Sequence, residues 1–87
     1  MKLKLIVPEK IVVEKDVISV TMPGKLGELT VMNGHDILVT EINSGRLYYR
    51  FVGDDKKPAR EDYQIGSGIA EVTKDAVKIL ASKAERV

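Results

Sequence analysis

Apolar and polar side chains alternate along most of this chain with a period of two, the signature of extended strands with one buried face. Leu3, Leu5 and Val7 alternate with Lys2, Lys4 and Ile6, which predicts a first strand that Pro8 ends or kinks. Residues 11–15 read as a second strand. Ile18, Val20 and Met22, alternating with Ser19 and Thr21, read as a third with the aliphatics inward. Pro23-Gly24 and Gly27 mark a loop. Residues 28–32 resume the alternation with Leu29 and Val31 inward, and Asn33-Gly34 signals a tight turn. Residues 37–42 are again extended, up to the break at Asn43-Ser44-Gly45. Residues 46–52 form the clearest amphipathic strand: Leu47, Tyr49 and Phe51 face one way, Arg46, Tyr48 and Arg50 the other. Residues 53–61 read as a charged hairpin tip too polar to bury, and residues 62–65, 68–73 and 76–81 complete the set. Short strands separated by regularly spaced turns predict an all-β fold, a small β-sandwich of about ten strands in one domain over residues 1–87.

Two stretches depart from this pattern. Ile11-Val12-Val13 and Ile37-Leu38-Val39 are apolar on both faces, where a free-standing sandwich should be polar outside. Ile6, Val12 and Leu38 fall out of phase with their inward neighbours. Such residues either anchor a partner protein or are covered where a curled sandwich turns its corners. At the C-terminus, Ser82-Lys83-Ala84-Glu85 has the spacing of a helix capping box. Residues 82–87 are thus either the start of a helix or the frayed end of a strand.

Composition narrows the function more than the fold. Val, Ile and Thr supply 23 of the 87 residues, a β-branched load that supports sheet over helix. No apolar run approaches the roughly 18 residues of a membrane span, so no direct membrane insertion is expected. The absence of cysteine excludes disulfides, thiol chemistry and thiolate metal sites. Fourteen basic residues against thirteen acidic ones leave a net charge of +1, and aromatics are 5%. Neither the basic stripe nor the stacking platform of a nucleic-acid binder is present.

Catalytic chemistry has little to work with. His35 is the only histidine and sits beside Asp36, and adjacent residues of an extended chain point to opposite faces. Gly66-Ser67-Gly68 lacks the outer glycine spacing of a nucleophile elbow and reads as a place where another backbone comes close. No phosphate-cradling loop occurs. The acids Asp54, Asp55, Glu61 and Asp62 lack calcium-loop spacing and are neutralised by Lys56, Lys57 and Arg60. The residues thus predict no catalytic, cofactor or metal site, and point to a small sandwich that binds another protein.

Several ordered segments resemble one family. Asp16-Val17-Ile18-Ser19-Val20-Thr21-Met22-Pro23-Gly24 with Gly27-Glu28-Leu29 resembles the early strand and loop of the epsilon subunit of F-type ATP synthases. Asn33-Gly34-His35 through Leu38-Val39-Thr40 resembles that family's Pro-Gly-His-Ala-Pro-Leu stretch. Gly66-Ser67-Gly68-Ile69-Ala70-Glu71-Val72 with Val77-Lys78-Ile79-Leu80-Ala81 resembles its Ser-Gly-Gly segment and last strand, and Leu5-Ile6-Val7-Pro8-Glu9 fits its opening. The likeness covers essentially the whole chain. Asn33 replaces the usual proline, Asp36-Ile37 replaces Ala-Pro, and Gly66-Ser67-Gly68 replaces Ser-Gly-Gly.

The resemblance implies a non-catalytic rotor part without cofactor, coupling the gamma shaft to the membrane ring of c subunits in a proton- or sodium-driven ATP synthase. It would lie peripherally on the cytoplasmic or equivalent face of the energy-coupling membrane. Matched positions imply that Glu28, Asn33, Gly34 and His35 face the c-ring from one end, and that Val7 and Thr40 face gamma. The chain stops where that family's helical pair begins, which leaves open a naturally short form and a cut at the boundary. The competing reading is a free-standing β-sandwich adaptor or ligand-binding module.

Overall fold

A computed structural model describes residues 1–87 as ten strands and no helix. In chain order they are β1 (Lys2–Val7), β2 (Lys10–Asp16), β3 (Ser19–Gly24), β4 (Gly27–Met32) and β5 (Leu38–Ile42). There follow β6 (Gly45–Val52), β7 (Pro58–Ile65), β8 (Gly68–Val72), β9 (Ala76–Ala81) and β10 (Ala84–Arg86). One layer runs β4-β3-β6-β7-β10 and the other β5-β8-β9-β1-β2. The shortest dimension, 22 Å, is what two sheets stacked about 10 Å apart and clothed in side chains produce. All ladders are antiparallel except β1 with β9, so the N-terminal strand sits inside its layer, flanked by β2 and β9.

The inward residues of both layers form one contiguous core that includes Leu3, Leu5, Val20, Met22, Val31, Leu47, Tyr49, Ile65, Val72 and Ile79. These are the inward positions of the sequence alternation, with one shift. Ile18 is exposed at the bend between β2 and β3, and its neighbour Val17 is buried instead. β3 is buried on both faces because it lies between β4 and β6; the hydroxyls of Thr21 and Thr30 satisfy each other there at 2.9 Å.

Close backbone approach explains Gly66-Ser67-Gly68. A Cβ on Gly68 would lie 1.8 Å from the Leu80 carbonyl oxygen, and one on Gly66 would meet the Ser82 hydroxyl. At Gly68 the obstacle is backbone, so no side chain larger than hydrogen fits there, whereas at Gly66 the Ser82 hydroxyl would have to turn aside.

Three local readings change. The loop at Pro23-Gly24 shrinks to the two-residue turn Lys25-Leu26, since β3 and β4 pair up to Gly24 and Gly27. The charged hairpin tip likewise contracts, because Pro58 to Glu61 continue β7 opposite Val52 to Tyr49. Glu61 faces inward and is half-buried, tolerated because it is fully partnered. The Ser82–Glu85 spacing does not nucleate a helical turn: Ala84, Glu85 and Arg86 pair with Ile65, Gln64 and Tyr63 as β10. Ladder bonds to a preformed edge outweigh a four-residue capping pattern that has no helix to cap.

The two layers are joined differently at their two seams. Where β3 meets β5, Gly24 pairs with Ile42, and backbone bonds from Lys25 N–H to the Glu41 carbonyl and from Asn43 N–H to the Pro23 carbonyl continue the join. No strand pairing spans the opposite seam, between β2 and the β7–β10 side of the facing layer. Lys15 crosses it, to a carboxylate held by its own layer. The Tyr49 hydroxyl donates to Glu61 Oε1 at 2.5 Å, Lys15 Nζ from β2 donates to the same oxygen at 3.3 Å, and Arg86 from β10 pairs with Oε2 at 3.4 Å. The Lys15 ammonium also lies 3.9 Å from the centre of the Phe51 ring, a cation–π contact. The Tyr49 hydrogen bond foremost, with help from Lys15 and Arg86, holds the Glu61 carboxyl below its ordinary value. Burial, then Glu61 itself, pushes the Tyr49 hydroxyl well above its own.

Glu61→Ala strands three partners at once and should cost about 1–3 kcal/mol of unfolding free energy at pH 7, measured by urea denaturation. The folded carboxyl is the stronger acid, so its contribution is complete above the unfolded value of about 4.3. It fades as pH falls through the lower folded value. The gap between wild type and variant should therefore narrow in acid. A gap that stays constant from neutral pH to about pH 2 would show that the charge of Glu61 does not hold the seam.

Candidate protein-docking face

The outward positions of the β5-β8-β9-β1-β2 layer are set by the same alternation that sets the core. Register aligns them in rows across the strands. Ile69 on β8 stands opposite Leu80 on β9, Leu80 beside Ile6 on β1, and Ile6 opposite Ile11 on β2. Four aliphatics thus form one line across four strands, about 14 Å long at the usual strand spacing. Ile11, Ile69 and Leu80 are 51%, 43% and 39% exposed. An irregularity between Leu5 and Ile6 in the β1–β2 register brings Ile11 into this line. One pleat away runs a charged row: Glu71 opposite Lys78, Lys78 beside Lys4, and Lys4 opposite Glu14. The Lys4–Glu14 pair is bridged at 3.7 Å with both side chains partly exposed, an interaction worth about 1 kcal/mol or less. An aliphatic stripe bordered by charge is the pattern of an interface core with its rim.

Beside this stripe a groove of about 460 Å³ opens between β1, β8 and β9, lined by Ile6, Val7, Pro8, Ile69, Leu80 and their small neighbours at Ser67-Gly68 and Ala81-Ser82. The glycine forced at position 68 by the Leu80 carbonyl leaves this end of the sheet thin. A bulkier side chain there would shift β9 before it could fill the groove.

The six sequence-predicted contact residues do not fall into the two groups expected of them. Val7 is only 7% exposed: it faces inward with Leu3 and Leu5, and Ile6 is the β1 residue on the outer face. Thr40 likewise shares the inward-leaning side of β5 with Leu38 and Ile42, while Val39 is exposed on the outer face. On the outer face of this layer the alternation thus presents Ile6 and Val39, the neighbours of Val7 and Thr40. Of the out-of-phase aliphatics, Leu38 and Val12 pack against the core, the covered alternative. Ile37 and Val39 are the exposed members of their triplet.

Glu28 and the Asn33-Gly34-His35 turn were expected at one end. They lie at opposite ends of β4: Glu28 pairs with Pro23 beside the β3–β4 turn, whereas Met32, the residue before Asn33, pairs with Ser19. Five residues of extended chain separate Glu28 from Asn33 by about 17 Å. Glu28 instead lines a groove of about 270 Å³ together with Thr40, Leu29 and Leu38. At the turn above Glu28, Leu26 is fully exposed, and the salt bridge from Lys25 Nζ to Glu41 at 2.9 Å ties the turn to β5. The Asn33-Gly34-His35 turn docks elsewhere. Gly34, at φ +86°, donates its N–H to the Lys74 carbonyl of the β8–β9 turn, and His35 N–H donates to the Met32 carbonyl. His35 Nδ1 lies 2.9 Å from the Asp36 carbonyl oxygen. Gly34 supplies the left-handed residue of this turn.

Sequence reasoning singled out Ile6 only as out of phase, and missed Ile69 and Leu80. The signal was available, because both alternate with core residues in strands whose outer face should be polar. Only register, which sequence does not display, puts them in one line.

Comparison with known proteins agrees with this fold along its whole length. The family model described as the ATP synthase delta/epsilon chain β-sandwich domain matches residues 1–87. The ATP synthase epsilon chain of Koribacter versatilis is 37% identical over 83 residues, covering 95% of this chain and 55% of that protein. The epsilon chain of Helicobacter pylori is 37% identical over 84 residues, covering 97% and 64%. This chain therefore spans less than two-thirds of the length of these relatives. Among solved structures, a chain in the OSCP/F1/c-ring assembly of the Euglena gracilis mitochondrial ATP synthase superposes with a TM-score of 0.84 at 24% identity, over 97% of this chain and 51% of that one. A chain of the Tetrahymena thermophila mitochondrial ATP synthase central stalk and c-ring superposes at 0.80 and 18% identity, over 98% and 65%. At these identities the superpositions speak for the fold. On the family match and the epsilon-chain relatives together, this chain belongs to the ATP synthase delta/epsilon chain β-sandwich family.

Proposed function

We propose that this chain is a non-catalytic rotor element of the central stalk of an F-type ATP synthase, coupling a gamma shaft to a ring of c subunits during ion-driven ATP synthesis. The observation that carries this reading is the aliphatic row Ile69–Leu80–Ile6–Ile11 on an outer sheet face, in a chain of the epsilon family. Such a row can anchor a partner by apolar burial, at about 25 cal/mol for each Å² removed from water. In this reading the face of β8, β9, β1 and β2 docks the shaft, with Ile6 and Val39 in the places first given to Val7 and Thr40.

The exposed turn at Leu26 and the neighbouring Glu28 then meet the polar loops of the ring. Asn33, Gly34 and His35, at the far end of β4, point away from it. The accessible surface is 5345 Å², and a standard interface covers about 800 Å² per partner. Two such contacts take roughly a third of the surface, so both partners fit at once. No helix of the chain is long and apolar enough to cross a membrane; in this reading the chain sits against the membrane face through the ring.

Rotor coupling demands stiffness in place of chemistry. The β3–β5 backbone join and the Glu61 contacts at the opposite seam resist the two layers sliding past each other. A torque applied at the Leu26 turn then reaches the opposite sheet without being dissipated in shear.

Two substitutions one position apart test the shaft face. Ile6→Asp places a charge on the outer row and should leave folding within about 1 kcal/mol of wild type, yet abolish co-purification with a gamma subunit. Val7→Asp buries the same charge and should lower stability by about 3–5 kcal/mol, visible as a collapse of the thermal midpoint. Normal gamma binding by a folded Ile6→Asp chain would move the shaft contact to another face. At the ring end, Glu28→Lys should weaken coupling between ATP hydrolysis and ion pumping at low salt, with the effect shrinking as added salt screens the exposed charge. Gamma binding should not change. A Glu28→Lys complex that is fully coupled at every ionic strength would remove Glu28 from the ring contact.

A further inference from the structure

The outer face of the other layer has a different chemistry. β6 and β7 pair so that Arg50 stands directly opposite Arg60, and Tyr48 opposite Asp62. Like charges directly opposed on one face of an antiparallel ladder destabilise it. Part of that conflict is resolved within the chain. Arg60 donates to both oxygens of Asp62 at 2.9 Å, and Arg46 donates to the same carboxylate at 3.2 Å. The Arg60 guanidinium also lies 3.6 Å from the centre of the Tyr48 ring. Arg60 first, and Arg46 after it, hold the Asp62 carboxyl at about 2, so it stays charged. Glu28, from the outer side of β4, adds a second negative field at Arg60.

Arg50 shares the ring of Tyr48 but neither carboxylate. It is exposed, forms no ion pair, and its guanidinium lies 5.6 Å from the Tyr48 ring centre. With Glu28 and Glu85, which stands in the Arg46–Gln64 row, the face balances three guanidiniums against three carboxylates, but no carboxylate is paired with Arg50, which is half of an opposed like-charge pair.

We propose that Arg50, Tyr48 and Arg60 form a docking surface for an acidic protein segment, one carboxylate of which is received between the two opposed guanidiniums. Such a carboxylate relieves the repulsion that β6 and β7 otherwise carry. Guanidinium forks match carboxylates in plane and in spacing, and the aromatic ring between them limits the orientations they must give up on binding. The surface is flat: none of the cavities of the domain is lined by these residues. A small free anion would stay hydrated there, whereas a segment with several carboxylates gains from each contact. An anionic bilayer suits the face less, because Asp62 and Glu28 sit among the arginines and lysine clusters are missing. This surface is separate from the aliphatic row and lies on the opposite side of the sandwich.

The test is a titration of the isotope-labelled full chain with a decaglutamate peptide, followed by backbone amide shifts at low salt. Shifts grouped on residues 46–50 and 58–62, with affinity falling several-fold between about 20 and about 150 mM salt, are expected. Arg50→Gln should keep the wild-type spectrum and lose affinity about fivefold or more, and Arg50→Lys should recover only part of it. Shifts scattered over the lysines of β1, β2 and β9, or undiminished binding by Arg50→Gln, would overturn the proposal. Phosphatidylglycerol vesicles supply the third arm. Tighter, Arg50-dependent binding to these than to the peptide would assign the face to a membrane and overturn it equally.

Discussion

A single half-buried carboxylate closes this sandwich. Two sheets joined along one seam by backbone pairing would open like a book along the other, because no ladder spans it. Glu61 sits at that open seam and draws in Lys15 from β2, Tyr49 from β6 and Arg86 from β10. A buried charge without partners would cost several kcal/mol; Tyr49 and Arg86 of its own layer hold the carboxylate in place, and Lys15 is the one donor that reaches it from the facing layer. Closure of the seam therefore runs through Lys15, to Glu61 on one side and the Phe51 ring on the other.

Much of the fold was legible in the residues, for a physical reason. A strand needs no information beyond its own alternation to state which side is buried, and Leu3, Leu5, Val31, Leu47 and Ile79 stated it correctly. Errors arose where local pattern and neighbours compete. Ile18 looked inward by phase, but the chain turns at that point and Val17 takes the core position. Glu61 looked too polar to bury, because its three partners are 46, 12 and 25 residues away in sequence and meet it only after folding. The candidate site suffered most from this blindness. A motif match assigns a residue number to a contact but not the side on which its side chain emerges. In a strand a slip of one residue reverses that side; Val7 leans inward while its neighbour Ile6 faces out, and Thr40 leans inward while Val39 faces out. The strand over residues 28–32 was legible, but the resemblance placed Glu28 and His35 at one end although that strand runs between them.

The two outer faces divide the surface by chemistry. One carries aliphatics in register and suits a contact that, once made, excludes water and persists. The other carries arginines around a tyrosine, partly neutralised from within, and suits a contact that depends on ionic strength and forms and breaks readily. A domain of 87 residues has few ways to hold one partner firmly while engaging another reversibly. Giving each sheet its own outer composition is one that leaves the core untouched.

The placement of β1 has a consequence for how the chain comes to be folded at all. Of the ten strands β1 leaves the ribosome before the others, yet it lies inside its layer and runs parallel to β9, with Leu5 opposite Ile79 and Ile6 opposite Leu80. Until the ribosome has released residues near 80, the β1–β2 hairpin has one apolar edge and no neighbour to cover it. Local hairpins such as β3–β4 and β6–β7 can close early, but the second layer cannot be completed from its beginning. Such long-range pairing slows folding and lengthens the time during which a bare strand edge can pair with another chain. Lys2 and Lys4, on the outward side of β1, stand opposite Asp16 and Glu14 within that hairpin, so they put no net charge beside the edge. Its cover comes only with β9.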